Sequence, residues 1–158
     1  MILILIICVA IIYKPNEEVT IEEVQAAEHE VIEVSQPQPV ELPELNYTYE
    51  ELELLAHLIE AESGGDSELE MWYTGSVVLN RMNSDKYPST LEDVIYQKGQ
   101  YECTWNGHID KEPSDIAYEV AAELLATGGI IPDYVLYQAE FTQGSGVYEK
   151  INRTYYCY

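Results

Sequence analysis

The chain has 158 residues, with 29 Asp and Glu against 7 Lys and Arg, giving a formal net charge of −22. Such a polyanion is repelled by nucleic acid and by anionic membrane surfaces, which excludes binding by counterion release. Once the first 45 or so residues are set aside, about 110 remain, enough for one modest core.

Met1 to Tyr13 form an uncharged apolar run. It is shorter than the roughly 20 residues that a spanning helix needs. Its length suits the apolar part of a secretion signal, yet a basic start and a prompt small-x-small cleavage site are missing. An uncleaved membrane anchor with the rest of the chain outside the cytoplasm is the expectation, with a cleaved signal as the alternative. From Lys14 to about Asn46 the sequence is acidic and interrupted by Pro37, Pro39 and Pro43; ten acids lie between Glu17 and Glu50. Self-repulsion and proline make this stretch a solvated linker. The expected organisation is therefore an apolar segment over 1–13, a linker over 14–46 and a folded domain over 47–158.

Thr48 with Glu51 three residues on is a capping-box pattern, and a helix follows to the Gly64-Gly65 turn. Ser67 with Glu70 repeats the pattern and opens a second helix through about Met82, in which Gly75 and Ser76 are small enough for close approach. Asn80-Arg81 falls at its end. Ser89 with Glu92 caps a short third helix after Tyr87-Pro88. Gln97 to Asp110 reads as an irregular, glycine-punctuated loop. Pro113-Ser114-Asp115 starts a fourth helix in which Ile116, Val120 and Leu124 repeat every four residues, and Gly128-Gly129 ends it. The alternation in Tyr134–Ala139 and Tyr148–Tyr158, about Gly144-Ser145-Gly146, predicts a small β-hairpin. The fold class is thus α+β and mainly α, with a small C-terminal β-element.

The residues that suggest chemistry lie at the end of the first helix. At 100° per residue Leu52, Leu55, Ala56, Leu58 and Ile59 form one stripe, Glu62 projects inside it, and Glu60 points toward solvent. A carboxyl on an apolar face loses solvation, which favours its neutral form, the state a general acid for glycosidic bonds must hold. The plain alternative is a helix-end glutamate that reaches past the glycines into water. His29, His57 and His108 are scattered without metal-ligand spacing, so neither a metal nor a cofactor is expected. A nucleophilic pair of Cys103 with His108 has no specific signature. Cys103 and Cys157 would be able to form a disulfide outside the cytoplasm, or simply pack as thiols.

The segments LIEAESGGDS, GSVVLNRMNSDKYPSTLEDVIYQKGQY and VLYQAEF with the tyrosine-rich tail resemble the SleB-type cell-wall hydrolases, a family that includes spore cortex-lytic enzymes. The likeness runs from about Leu52 to Tyr158. It implies a lysozyme-like fold related to soluble lytic transglycosylases, acting as a monomer on peptidoglycan glycan strands. The family's catalytic glutamate falls on Glu62. Ser63 corresponds to the residue after that glutamate, Gln100-Tyr101 falls in the family's cleft-lining loop and Tyr137 matches a tyrosine of its strand-like C-terminal segment; these and Asn80 are the candidates for binding the sugar. Gly65-Asp66 departs from the family's usual Gly-Glu. With Glu62 as sole acid and base, the implied reaction cleaves the bond between N-acetylmuramic acid and N-acetylglucosamine and closes a 1,6-anhydro ring. The alternatives are a hydrolytic muramidase or glucosaminidase using Asp66, Glu68 or Glu70 as second carboxylate, and an inactive tethered wall-binding protein.

Overall fold

Hydroxyl-acid pairs start three of the five α-helices in the computed structural model, which describes residues 45–158. Helix α1 (Tyr49–Ser63) begins at a reciprocal capping box: Thr48 Oγ1 accepts the Glu51 N–H at 3.1 Å and the Glu51 carboxylate accepts the Thr48 N–H at 2.8 Å. Ser67 and Glu70 do the same for α2 (Glu68–Met82). The short α3 (Leu91–Ile95) is capped by Thr90 and Asp93, one residue beyond the expected pair, because this register buries Leu91, Val94 and Ile95. The loop expected after α3 contains one turn of helix, α4 (Cys103–Asn106), and a 3-10 turn over His108–Asp110. Ser114 caps α5 (Asp115–Thr127).

Leu55, Leu58 and Ile59 of α1 meet Val78 of α2, Val94 and Ile95 of α3, and Val120 and Leu124 of α5 in the main core. Gly75 lets α2 approach this core closely: a β-carbon there would strike the Leu124 side chain and sit 3.0 Å from Ile59 Cδ1. The buried face of α5 is Ala117, Val120, Ala121 and Leu124; Ile116 falls off it and stands 47% exposed. His57 supports the frame, its Nδ1–H donating to the Ile109 carbonyl at 2.8 Å.

The end of α1 reverses one expectation. Glu60, projected toward solvent, is only 7% exposed, because the segment leading into α5 folds over it. Its carboxylate pairs with Lys111 and accepts the Ser114 N–H at 3.2 Å and the Ser114 hydroxyl at 2.8 Å. Lys111, opposed by burial and aided by Ser114, holds the Glu60 carboxyl below its ordinary value of 4.5. The chain leaves this site through Gly64, where a β-carbon would collide with the Glu60 carbonyl and carboxylate.

The C-terminal element is a three-stranded antiparallel sheet of order β1-β3-β2, rather than a hairpin around residues 144–146. Strand β3 (Thr154–Cys157) is central and pairs with both β1 (Tyr137–Ala139) and β2 (Val147–Ile151). The tight turn is at Asn152-Arg153, between β2 and β3. A second small core of Tyr73, Val77, Ile131, Val135 and Tyr156 seats the sheet on α2, with the rings of Tyr73 and Tyr156 edge-to-face at 4.9 Å. Cys103 in α4 and Cys157 in β3 are separate buried thiols, so the disulfide is not formed. Each packs in its own place, Cys103 with the α1 cluster and Cys157 in the central strand.

Among the described residues no helix is long and apolar enough to cross a membrane. The apolar run 1–13 and the acidic linker as far as residue 44 lie outside the described residues.

Glu60→Ala should lower the unfolding free energy by about 2 kcal/mol, since it removes charge-assisted hydrogen bonds. The sign with pH follows from the lowered value. Glu60's contribution is complete above its ordinary 4.5 and is lost as pH falls through its lower folded value. Denaturant titrations below pH 4.5 should therefore show the parent losing stability faster than Glu60→Gln.

Candidate active site

Between the α1–α2 turn and the sheet lies a cleft of about 210 Å³. Glu62, Ser63, Asp66 and Glu70 line its helical side; Gln138, Glu140, Asn152 and Arg153 line the sheet side. Glu62 is half-buried at the last turn of α1. Beneath it are the thiol of Cys103 and the phenol of Tyr101. Burial and the Glu62 carboxylate together push the Cys103 thiol far up. Burial pushes the Tyr101 hydroxyl up to about 12, with Arg81 opposing and Glu62 adding to the rise. Glu62 thus has one face on neutral, buried groups and the other on the cleft. Among the described residues no lysine or arginine pairs with it.

Ser63 lines the cleft, but its hydroxyl is spent on Thr74 Oγ1 at 2.6 Å, joining α1 to α2. The buried Glu70 carboxylate is also structural. Its Oε2 accepts from the Ser67 N–H, the Ser67 hydroxyl and Asn152 Nδ2, the last at 2.6 Å. Asn152 takes a left-handed backbone, φ 48°, which asparagine tolerates better than most side chains. Glu70 therefore fastens the β2–β3 turn to the start of α2 and closes one end of the cleft.

The other sequence-derived binding residues have different places. Asn80 lies outside the cleft lining, and its Nδ2 donates to the Pro132 and Val135 carbonyls at 2.8 and 3.1 Å, holding the chain that enters β1. Gln100 is exposed and outside the lining. Tyr101 is 1% exposed and packs against the Arg81 guanidinium, 5.1 Å from ring centre, so it supports the site from below. Tyr137 is on β1 but outside the lining; its neighbour Gln138 lines the cleft, with Oε1 buried and unpaired within the protein. Strand alternation separates the two, so one position decides which side chain meets the cleft. Glu68 is turned away, accepting the Trp72 indole N–H at 3.2 Å, while Asp66 and Glu70 share the cleft with Glu62.

The site thus consists of a helical frame, a small antiparallel sheet and an acid-lined cleft between them. The structure superposes on the catalytic domain of the Bacillus cereus SleB protein with a TM-score of 0.63 at 21% identity, over 71% of this chain and 92% of that one. The catalytic domain of the germination-specific lytic transglycosylase SleB from Bacillus anthracis gives 0.62 at 20% identity, over 71% and 97%. In sequence, a spore cortex-lytic enzyme of Oceanobacillus iheyensis is 28% identical over 79 residues, 50% of this chain and 29% of that protein. One from Bacillus cereus is 25% identical over the same length, 50% of this chain and 30% of that protein. The match thus spans under a third of those relatives. The Cell Wall Hydrolase family profile matches residues 65–155, and the chain belongs to that family. The matched stretch begins three residues after Glu62, so the role of Glu62 is argued from its position in the cleft.

Asn80→Ala should destabilise the fold by about 1–2 kcal/mol, because it leaves the Val135 carbonyl without its donor and removes one of two donors from the Pro132 carbonyl. Its effect on the affinity of the folded protein for its ligand should be smaller, since the Asn80 side chain lies outside the cleft lining. Gln138→Leu should do the converse: melting within a few degrees of the parent, but ligand affinity lowered several-fold. Thermal melts paired with binding isotherms separate the two.

Proposed function

We propose that the chain cleaves the glycan strands of peptidoglycan between N-acetylmuramic acid and N-acetylglucosamine, as a lytic transglycosylase with Glu62 as general acid and then base. The observation that carries this reading is Glu62 itself, unpaired by any described cation and half-buried at the wall of the acid-lined cleft. Protonated, Glu62 donates to the glycosidic oxygen as that bond breaks and positive charge develops at the sugar carbon. The resulting carboxylate then takes the proton of the C6 hydroxyl, whose oxygen attacks that carbon and closes the anhydro ring. Membership of the Cell Wall Hydrolase family supports wall polymer as the substrate. The similar Bacillus anthracis domain, from a germination-specific lytic transglycosylase, agrees in reaction type.

Gln138 replaces Tyr137 as the residue that meets the sugar, its unpaired Oε1 suited to an acetamido N–H. Tyr101 and Arg81 act from beneath as supports. Residues 47–158 are taken as the catalytic unit, and the N-terminal apolar run as a tether that keeps it outside the cytoplasm at the wall.

A second reading, hydrolysis, is favoured by one observation: Asp66 and Glu70 line the same cleft as Glu62. Glu70 is committed to Ser67 and Asn152, which leaves the exposed Asp66 to activate water.

Mass spectrometry of fragments released from purified peptidoglycan separates these readings. Anhydromuramic ends from the parent, with a loss of at least roughly 100-fold in Glu62→Gln, are expected for the transglycosylase. Reducing ends that vanish in Asp66→Asn would establish hydrolysis. Fragments released equally by Glu62→Gln would remove Glu62 from the chemistry.

A further inference from the structure

Arg153 is the only cation among the residues lining the cleft, against Glu62, Asp66, Glu70 and Glu140. Two features give it its place. The β2–β3 turn is held to α2 by the Asn152–Glu70 hydrogen bond, so the following residue is presented at the cleft edge rather than on a free loop. On the same sheet edge, Arg153 Nη2 lies 2.9 Å from Glu140 Oε1, and the two side chains are 85% and 66% exposed. An ion pair so exposed is weak and exchanges readily for another carboxylate. Arginine also suits that exchange in shape, since its planar fork accepts a carboxylate in bidentate fashion.

The substrate class supplies such a group. Wall glycan carries peptide stems on its muramic residues, and those stems bear free carboxylates. An acidic cleft repels them unless a cation at its edge takes them up. We propose that Arg153 reads a peptide-stem carboxylate of the wall glycan, with Glu140 holding its place until substrate arrives. This rests on the peptidoglycan reading above and makes the cleft selective for stem-bearing glycan. Glu140 is then a competitor of the substrate, so removing its charge strengthens binding.

The two possibilities predict opposite signs. If the cleft only repels anions, converting stem carboxylates to amides strengthens binding. If Arg153 reads one of them, the same conversion weakens it.

The test uses the full chain carrying Glu62→Gln, which keeps the ligand intact, and soluble stem-bearing peptidoglycan fragments. These are either native or capped with glycinamide by carbodiimide coupling. Capping should weaken binding about fivefold when Arg153 is present, the scale of one exposed ion pair. With Arg153→Ala, capping should have no effect or strengthen binding, and Arg153→Lys should keep part of the preference. Glu140→Gln should tighten binding of native fragments only. Capping that strengthens binding equally with and without Arg153 would overturn the proposal while leaving the cleft a glycan site. Absence of binding by both native and capped fragments would overturn it together with the peptidoglycan reading.

Discussion

Buried polar groups need partners, and helix α2 meets that requirement by clamping the sheet at both of its ends. At the C-terminal end, Asn80 donates to the Pro132 and Val135 carbonyls, and Arg81 Nε donates to the Leu136 carbonyl at 2.7 Å. These bonds supply donors to carbonyls of the segment that leads into β1, whose Leu136 N–H already donates to the Cys157 carbonyl of β3. At the N-terminal end, the buried Glu70 carboxylate gathers the cap of its own helix and the turn of the β2–β3 hairpin. Between the clamps, Tyr73 and Val77 supply the apolar seat. The cleft is the space left between this fixed sheet and the end of α1, so its width is set by α2.

Arg81 also links the clamp to Glu62. Its guanidinium lies 5.1 Å from the ring centres of both Tyr87 and Tyr101, a planar cation held between two aromatic rings. Tyr101 in turn lies close enough to Glu62 for that carboxylate to add to the rise of its hydroxyl. A buried charge stripped of such partners is costly, which ties the clamp at the far end of α2 to the support beneath the acid. Polar residues that look like ligand contacts in the sequence are therefore the frame that positions the ligand contacts.

Much of this is legible in the sequence where the cause is local. The caps at Thr48, Ser67 and Ser114 rest on hydrogen bonds within three residues, so sequence spacing alone locates them. What depends on distant chain is not legible. A helical projection gives the direction of Glu60 but not that Lys111 and Ser114 come over it, 51 and 54 residues later. Alternation marks strands near the C-terminus, yet their order depends on which edge of β3 each finds. The resemblance points to Tyr137 for the position that Gln138 occupies, because a strand changes face at every residue. The SleB-type resemblance also points to Glu62, and the fold places that residue on the cleft wall.

The choice between ring closure and hydrolysis turns on what else surrounds the sugar carbon. A hydrolase needs a second group to orient and deprotonate water on the opposite face. Glu70 is placed for contact but spent: one oxygen takes donors from Ser67 and Asn152, and releasing them would loosen the turn that bounds the cleft. Asp66 is free of that duty but stands exposed beside the positive-φ Gly65, and among the described residues its carboxylate has no hydrogen-bond or ion-pair partner. Ring closure asks for no such partner, because its nucleophile is already attached to the reacting sugar and a single carboxyl can both give and take the proton. A cleft whose other acids are either structurally committed or unconstrained is therefore better matched to an intramolecular nucleophile than to water.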